Sequence, residues 1–510
     1  MPSIPCLTRR SALLAAAVAM AGTSRAGRAM AATRASVPLP TADQIRRDYQ
    51  QMVDFGPRLP GNANHLRFVD WLARQMVAAG LQMGPCESYA YRRWEPKSWT
   101  LDLLDGGKRS NIPTAYFVRS ASTGPQGVTG PLVYAGRLEA SGPASLPPFK
   151  KDSLLVFDAS LPDMALSHIV HPHFIHLRGE ARADVLDTRY HRLWTMPSFQ
   201  MDALAAQGAA GVAIIINASS AMIAGNFSPH ASPYKAKVPA LFVGQDQGDT
   251  LRAAAKAGQS AHLTLHADWI DGDVPQITAI LPGISDEVMI VDTHTDGQNF
   301  IEENGCMAML QLARHFASLP PGQRLHRTLV FAGWPGHMSG DMPEAPGWAL
   351  AHPDLMRRAA AAFTIEHLGA SEWADMPGRG YAATGHHEYM NWPATAGPLN
   401  DMLIEGIKRH DLLRHAVEQG PGYTTGRVFH NSGIPHIACI SGPNYLLGIA
   451  PNGHMDKLDA DLAARQTAMI ADLIRQADAL PIAALRGSDK SLGADPVTGR
   501  DTATRAACPA

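Results

Sequence analysis

Apolar and polar positions divide the chain into two textures. Near the start, "TADQIRRDYQQMVDFGPRLPGNANHLRFVDWLARQMVAAGLQ" spaces its apolar residues at the helical period. It predicts one helix begun by a Thr cap, a "GPRLPGN" turn, and a second amphipathic helix ended at Gly80. Strand-like pieces follow in "SYAYRRW" and "WTLDLLD". From about residue 116 come short β runs and turns, among them "GPLVYAG", "DSLLVFDA" and "VPALFVGQDQGDTLRAAAKAG", while "MDALAAQGAAGVAIIINAS" reads as a helix feeding a buried strand. After "DVPQITAIL" the apolar runs "EVMIVDTH", "RTLVFAGW", "AAAAFTIEHLG" and "IPHIACISG" alternate with helical segments. Uninterrupted apolar strands between helices predict an α/β fold, a mixed and mostly parallel sheet sandwiched by helices.

These textures organise the 510 residues. Residues 38–115 and 273–480 read as the two parts of one α/β domain, 116–272 as an inserted β-rich module, and 481–510, polar with Gly and Pro, as a disordered tail. The first 31 residues read as a leader: Arg9 and Arg10 precede an Ala-rich apolar stretch and a small-x-small site at Ala29-Met30-Ala31. That is the pattern of a twin-arginine export signal, so a folded, periplasmic or secreted protein is expected.

Charge and cysteines narrow the partners. The formal net charge is −2, with no basic block, so nucleic acid is not expected. No later segment reaches the roughly 18 uninterrupted apolar residues of a membrane span, so no membrane anchor is expected. A small molecule or a peptide is the more natural substrate, and oligomeric state is not legible. Cys86, Cys306, Cys439 and Cys508 lie far apart and neither require nor exclude one disulfide.

Candidate chemistry falls just after the strands. "VMIVDTHTDG" ends in His294 and Asp296, "HTDGQNFIEENG" supplies Glu302, Glu303 and Asn304, "AAFTIEHLG" carries Glu366 and His367, and "LLGIAPNGHMDKLD" carries His454 and Asp456. In such sheets sites form at the carboxyl ends of strands. Imidazoles and carboxylates converging there suit a hard or borderline cation.

The order of these motifs resembles the co-catalytic zinc aminopeptidases and glutamate carboxypeptidases, in the branch with an inserted protease-associated domain, over residues 41 to 478. That resemblance implies His294 as a metal ligand oriented by Asp296, Glu302 as the bridge between two ions, Glu366 as a further ligand and His454 as the second ion's imidazole. It also implies substrate contacts near Tyr423, Arg427 and His430. One or two zinc ions are expected, with another divalent metal or copper open.

The departure lies in "AGWPGHMSG". Where the family has Gly-Glu-Glu, the general base and a ligand, this chain has Gly336-His337-Met338. Three readings stay open: His337 as proton shuttle, since imidazole titrates near neutrality; His337 as ligand with Glu303 as base; or loss of the second metal, leaving a one-metal enzyme or a binding protein. Met338 suits copper by softness but core filling by frequency. Trp334 and Trp348 read as packing, His386 and His387 as a surface pair, and "HIVHPHFIHLRGE" as a solvated loop.

The leading expectation is an exported metal-dependent hydrolase of peptide or amide bonds. The rivals are a mononuclear or redox-metal enzyme of other chemistry and a non-catalytic binding protein.

Overall fold

The computed structural model describes residues 36–510 apart from 163, 188–190, 228–234, 340, 488, 494–496, 498–502 and 506–510. The expected leader and Cys508 lie outside the described residues. Among the described residues no helix is long and apolar enough to cross a membrane.

Both N-terminal helices form as their patterns require. Ala42–Val53 starts from Thr41, whose hydroxyl accepts from the Gln44 amide. Ala63–Ala79 starts from Asn62 and ends at a left-handed Gly80. The first packs on the helices Ala460–Asp478 and Gly305–Ala317, the second on Gly305–Ala317 and the strand Ser260–Leu281 of a mixed sheet whose middle strands, in spatial order Thr328–Trp334, Val288–His294, Ala359–Thr364 and His436–Ala438, run parallel. Antiparallel neighbours extend it on both sides, the end of Ser260–Leu281 on one and Met390–Ala394 on the other.

Alternation along these strands divides two cores. Met289, Val291, Leu329, Phe331 and Phe363 face the side packed by Gly305–Ala317 and Ala460–Asp478. Val288, Ile290, Val330, Ala332 and Ala362 face Trp334, Trp348 and Phe429 on the other. Every residue of Val288–His294 is buried, because a strand covered on both faces has no solvent side. This is the α/β architecture that the apolar runs predict.

The segment from 114 to 244 builds a second sheet, in the order Thr114–Tyr116, Ala240–Gly244, Gly211–Ile216, Leu154–Ala159, Val128–Glu139, parallel except for the first strand. Its junction with the central sheet is a long antiparallel ribbon of Glu87–Asp105 with Ser260–Leu281. Ser260–Leu281 pairs with Val128–Pro131 at one end and with Leu329–Gly333 at the other. The boundary read at residue 272 therefore falls inside one continuous strand.

Two expectations are corrected. "HIVHPHFIHLRGE" is not a solvated loop: Phe174–His176 pairs with His415–Val417 at the edge of the central sheet, and Leu166 and Val170 are buried against Tyr389 and Ala416. Apolar residues between the histidines decide this, and Arg192, held by Glu388 and Glu372 at 3.1 Å each, ties the same excursion down. The C-terminal stretch is not uniformly disordered either. Ile482–Arg486 is a helix with Leu485 fully buried, and Thr504–Arg505 pairs with Glu87–Ser88 beside Cys86, which is disulfide-bonded. Cys306 and Cys439 are free and buried.

His415, fully buried under Ala460–Asp478, donates from Nδ1 to the Leu413 carbonyl at 2.9 Å and accepts at Nε2 from Gln466 at 2.8 Å. Burial holds its pKa down to about 3. A depressed histidine pKa makes its contribution fully present above the unfolded value near 6.5, and lost as pH falls toward the folded value, at about 1.4 kcal/mol per pH unit. Its ring C–H resonances should stay unshifted from pH 7 to 4 by NMR; a midpoint near 6.5 would contradict the buried neutral ring.

Candidate metal centre

The site begins where Val288–His294 ends. His294 donates from Nδ1 to the Asp296 backbone carbonyl at 2.8 Å, which fixes the tautomer and leaves Nε2 to face the cluster. The next segment turns back under it. Asn299 accepts from the amides of Ile301 and Glu302, and donates to the carbonyls of Tyr445, Leu446 and Gly448, so the turn presenting Glu302 is pinned to a neighbouring loop. Asn304 does the same toward the adjacent strand end, donating to the Leu368 carbonyl at 2.6 Å and accepting its amide at 2.9 Å. Helix Gly305–Ala317 starts directly behind; a Cβ on Gly305 would lie 2.1 Å from the Ile365 carbonyl, so only glycine permits that approach.

After Ala359–Thr364 come Glu366 and His367. Adjacent side chains of an extended backbone point to opposite faces. Here the left-handed φ of 59° at His367 breaks the alternation, and both residues converge on one centre. One oxygen of Glu366 accepts from the Thr425 amide at 3.0 Å and hydroxyl at 2.9 Å, leaving Oε2 buried without a partner. His367 donates from Nδ1 to the Ser441 carbonyl, so its Nε2 lone pair faces Glu302 Oε2 at 3.5 Å.

His337 arrives from the loop after Thr328–Trp334. Both oxygens of Asp296 hold this loop, accepting from the Gly336 amide at 2.7 Å and the Met338 amide at 2.6 Å. Gly336 has φ 112°, which admits glycine at little cost. The His337 ring then lies 4.3 Å from that of His294, tilted by 38°, with Nε2 3.6 Å from Glu302 and Nδ1 3.7 Å from Glu344. Met338 is 1% exposed within the core, which is the packing role.

Among the described residues, two groups have the spacing to hold a metal ion, His294 with Glu302 and His337, and His294 with Glu366 and His367. Both oxygens of Glu302, Oε2 of Glu366 and Nε2 of His367 are buried without hydrogen-bond partners, so the donor set fits a cation. Electrostatics agree. Burial pushes the Glu302 carboxyl well above its ordinary range and raises that of Glu366, while it lowers His367 to about 3. At His337 burial acts downward, but Glu344, Glu302 and Glu366 outweigh it and raise the imidazole to about 10. Buried acids without a counter-charge are costly, and a divalent cation would supply it.

Other expected residues fall elsewhere. His454 joins neither group; its ring packs 5.6 Å from Tyr445 beside Gly448, held by a left-handed backbone. Glu303 is drawn into a buried ion pair with Arg58, whose other nitrogens donate to the carbonyls of Met52, Gly56 and Asn299, so it is engaged in structure. Asp296 orients His294 through its backbone carbonyl, and its carboxylate serves His337 instead. His430 is buried, with Nε2 3.0 Å from the Ser491 carbonyl, and anchors the C-terminal stretch rather than substrate. Trp334 and Trp348 are fully buried, as packing requires, and His386 is exposed while His387 pairs with Asp459 at 3.1 Å. The residue without an assigned role in the sequence was His367; its signal was only adjacency to Glu366.

The cluster opens on a cavity of about 650 Å³. His337, Glu344, Glu366 and His367 line it with the exposed Tyr423 and Arg427 and with Leu166, His168, Ile169, Val170 and Trp194 from the inserted segment.

Replacement of His367 by Ala should strip the purified protein of metal, and replacement of His454 by Ala should not, as read by elemental analysis after dialysis. Asp296→Ala, which frees the His337 loop while keeping the Asp296 backbone carbonyl that orients His294 and every side chain of the second group, should keep the metal by the same analysis.

No family model matches the chain, and no curated protein matches it in sequence. Solved structures share its fold. A peptidase precursor from Shewanella amazonensis superimposes with a TM-score of 0.58 at 16% identity, covering 86% of this chain and 96% of that one. A zinc aminopeptidase from Bacillus subtilis gives 0.55 at 16% identity, covering 89% and 100%, and an aminopeptidase from an Aneurinibacillus strain gives 0.51 at 16%, covering 86% and 94%. The chain thus has the α/β fold found in zinc aminopeptidases, with a His/Glu cluster at its strand ends.

Proposed function

We propose that this chain is an exported, metal-dependent hydrolase of peptide or amide bonds that uses a single zinc ion. One observation carries the reading: three imidazoles and two carboxylates, with unpartnered buried donor atoms among them, converge beside a cavity that His337, Glu366 and His367 line. A single ion is favoured because both candidate groups need His294, and its one available imidazole nitrogen binds one ion. His294, Glu302, Glu366 and His367 would hold it. The second ion that the motif order implies at His454 has no such support.

Bound there, zinc would polarise the scissile carbonyl and make water a stronger nucleophile near neutral pH. The rest falls to the chain. His337, partly exposed to the cavity and held protonated by Glu344, Glu302 and Glu366, is placed to deliver its proton to the leaving nitrogen as the C–N bond breaks, the proton released by the attacking water then restoring it. Asp296 fixes where that imidazole stands. Export through the twin-arginine route suits a site loaded before secretion, and the disulfide at Cys86 suits an oxidising compartment.

A mononuclear enzyme of oxidative or lyase chemistry is the second reading, favoured by the third imidazole, His367, and by the absence of glutamate at 337 and 338. Elemental analysis of the exported protein decides between them. About one zinc per chain, with aminoacyl-anilide or dipeptide cleavage abolished by chelation and restored by zinc, is the expected outcome. Iron or copper with no hydrolysis would favour the second reading, and no metal at all would make the chain a binding protein. His337→Ala should keep the metal and lower turnover by about 10²- to 10⁴-fold; unchanged turnover would remove it from the chemistry.

A further inference from the structure

Glu344 brings a further carboxylate to the cavity, outside both groups with metal-binding spacing. Its side chain is 29% exposed there. It opens the helix Glu344–Ala351, whose Trp348 is fully buried and donates from its indole nitrogen to the Thr278 hydroxyl at 2.9 Å, so the helix is fixed to the central sheet. The loop between His337 and this helix folds tightly. A Cβ on Gly336 would lie 2.5 Å from Cβ of Met342, and Asp341 is held by Arg119 at 2.8 Å. Two fixed pieces of chain thus set Glu344 Oε2 3.7 Å from His337 Nδ1.

Packing does not account for a glutamate at this place. Its backbone is left-handed, φ 47°, a conformation that long side chains seldom adopt and that persists where the surroundings over-determine it, often at functional sites. Among the described residues, its carboxylate makes no ion pair except that with His337. A carboxylate in the first turn of a helix is favoured by the helix dipole. Beside an imidazole, such a group holds the hydrogen of the nitrogen it faces and thereby fixes what the other nitrogen does. The other nitrogen of His337, Nε2, lies toward Glu302 at 3.6 Å, on the side of the metal cluster.

We infer that Glu344 is a positioning residue for the hydrolysis: it holds the Nδ1 hydrogen of His337 and with it the direction of the ring, so that Nε2 alone gives a proton to the leaving nitrogen and takes one back. This rests on the hydrolase reading and adds the residue that directs its proton. Water adds its oxygen to the carbonyl carbon, and the C–N bond breaks with its electron pair on nitrogen. The Nε2 proton passes to that nitrogen, one proton of the water returns to Nε2, and the Nδ1 hydrogen stays against Glu344 throughout.

The zinc-loaded full chain tests this with two compounds of one acyl group, leucine anilide and leucine 4-nitrophenyl ester. An amide nitrogen leaves only with a proton, whereas nitrophenolate leaves as the anion, so a residue that directs the proton matters far more to the anilide. Glu344→Gln, which keeps the shape but not the charge, should lower kcat on the anilide by about 10- to 100-fold and raise the ratio of ester to anilide turnover by about tenfold. KM, zinc content and melting temperature should be kept. Glu344→Asp, which suits a left-handed backbone, should recover part of the anilide turnover. An equal loss on both compounds is what a purely structural role gives, and it would overturn the inference. Loss of zinc from Glu344→Gln would make the residue a ligand and overturn it as well. A wild-type chain that carries zinc and cleaves neither compound would count against the hydrolase reading, and this role would fall with it; wild-type cleavage with an unchanged ratio in Glu344→Gln would overturn this inference alone.

Discussion

Glu302 and Glu366 are buried carboxylates surrounded by three imidazoles, and the placement of the elements around them follows from holding that cluster in place. Charges removed from water need fixed partners, because a carboxylate left to wander in a low-dielectric interior has no favourable state. The chain meets this with backbone rather than bulk. Asn299 and Asn304 pin the turn that presents Glu302 to two neighbouring loops, and Thr425 restrains one oxygen of Glu366. His294 and His367 each spend Nδ1 on a backbone carbonyl, so each has a set tautomer and a set orientation. What remains free is a small number of donor atoms aimed at one place.

His337 is held differently, by carboxylates at its ring and a clamp on its loop. The two histidines beside it are oriented by hydrogen bonds to backbone carbonyls, whereas the His337 ring stands between the Glu302 and Glu344 carboxylates and its loop is clamped, the Asp296 carboxylate taking the amides on either side of it. The same loop is reached from the inserted module, where Arg119 pairs with Asp341 at 2.8 Å. A ligand benefits from a locked ring, and a group that must move a proton benefits from a locked backbone with a ring that faces solvent. The 17% exposure of His337, against complete burial of His294 and Glu302, fits that division.

The inserted module is more than an appendage. Its sheet shares the strand Ser260–Leu281 with the central sheet, and its excursion returns to the opposite edge as Phe174–His176, so it grips the central sheet at both sides. The cavity wall that results is rigid enough to discriminate shape, which loops alone seldom are.

Fold class and the approximate location of chemistry were written in local pattern. Uninterrupted apolar runs alternating with helical segments point to strands covered on both faces, and polar groups just beyond them gather at one end of a parallel sheet; that pattern offers His294, Glu302 and Glu366 together with Glu303 and His454, and the resemblance in motif order, not the pattern, singled out ligands among them. Pairing between distant segments was not written there. Whether His367 or His454 supplied the third imidazole turned on which of two left-handed residues stood beside the cluster, and whether Glu303 was free turned on Arg58, 245 positions away along the chain. The histidine-rich segment looked solvated because its partners, Tyr389 and Ala416, lie more than two hundred residues onward. Periodicity reports what one stretch of chain prefers; which side chains share a centre is decided only when the strands pack, because that is when burial, and with it the cost of an unpaired charge, is assigned.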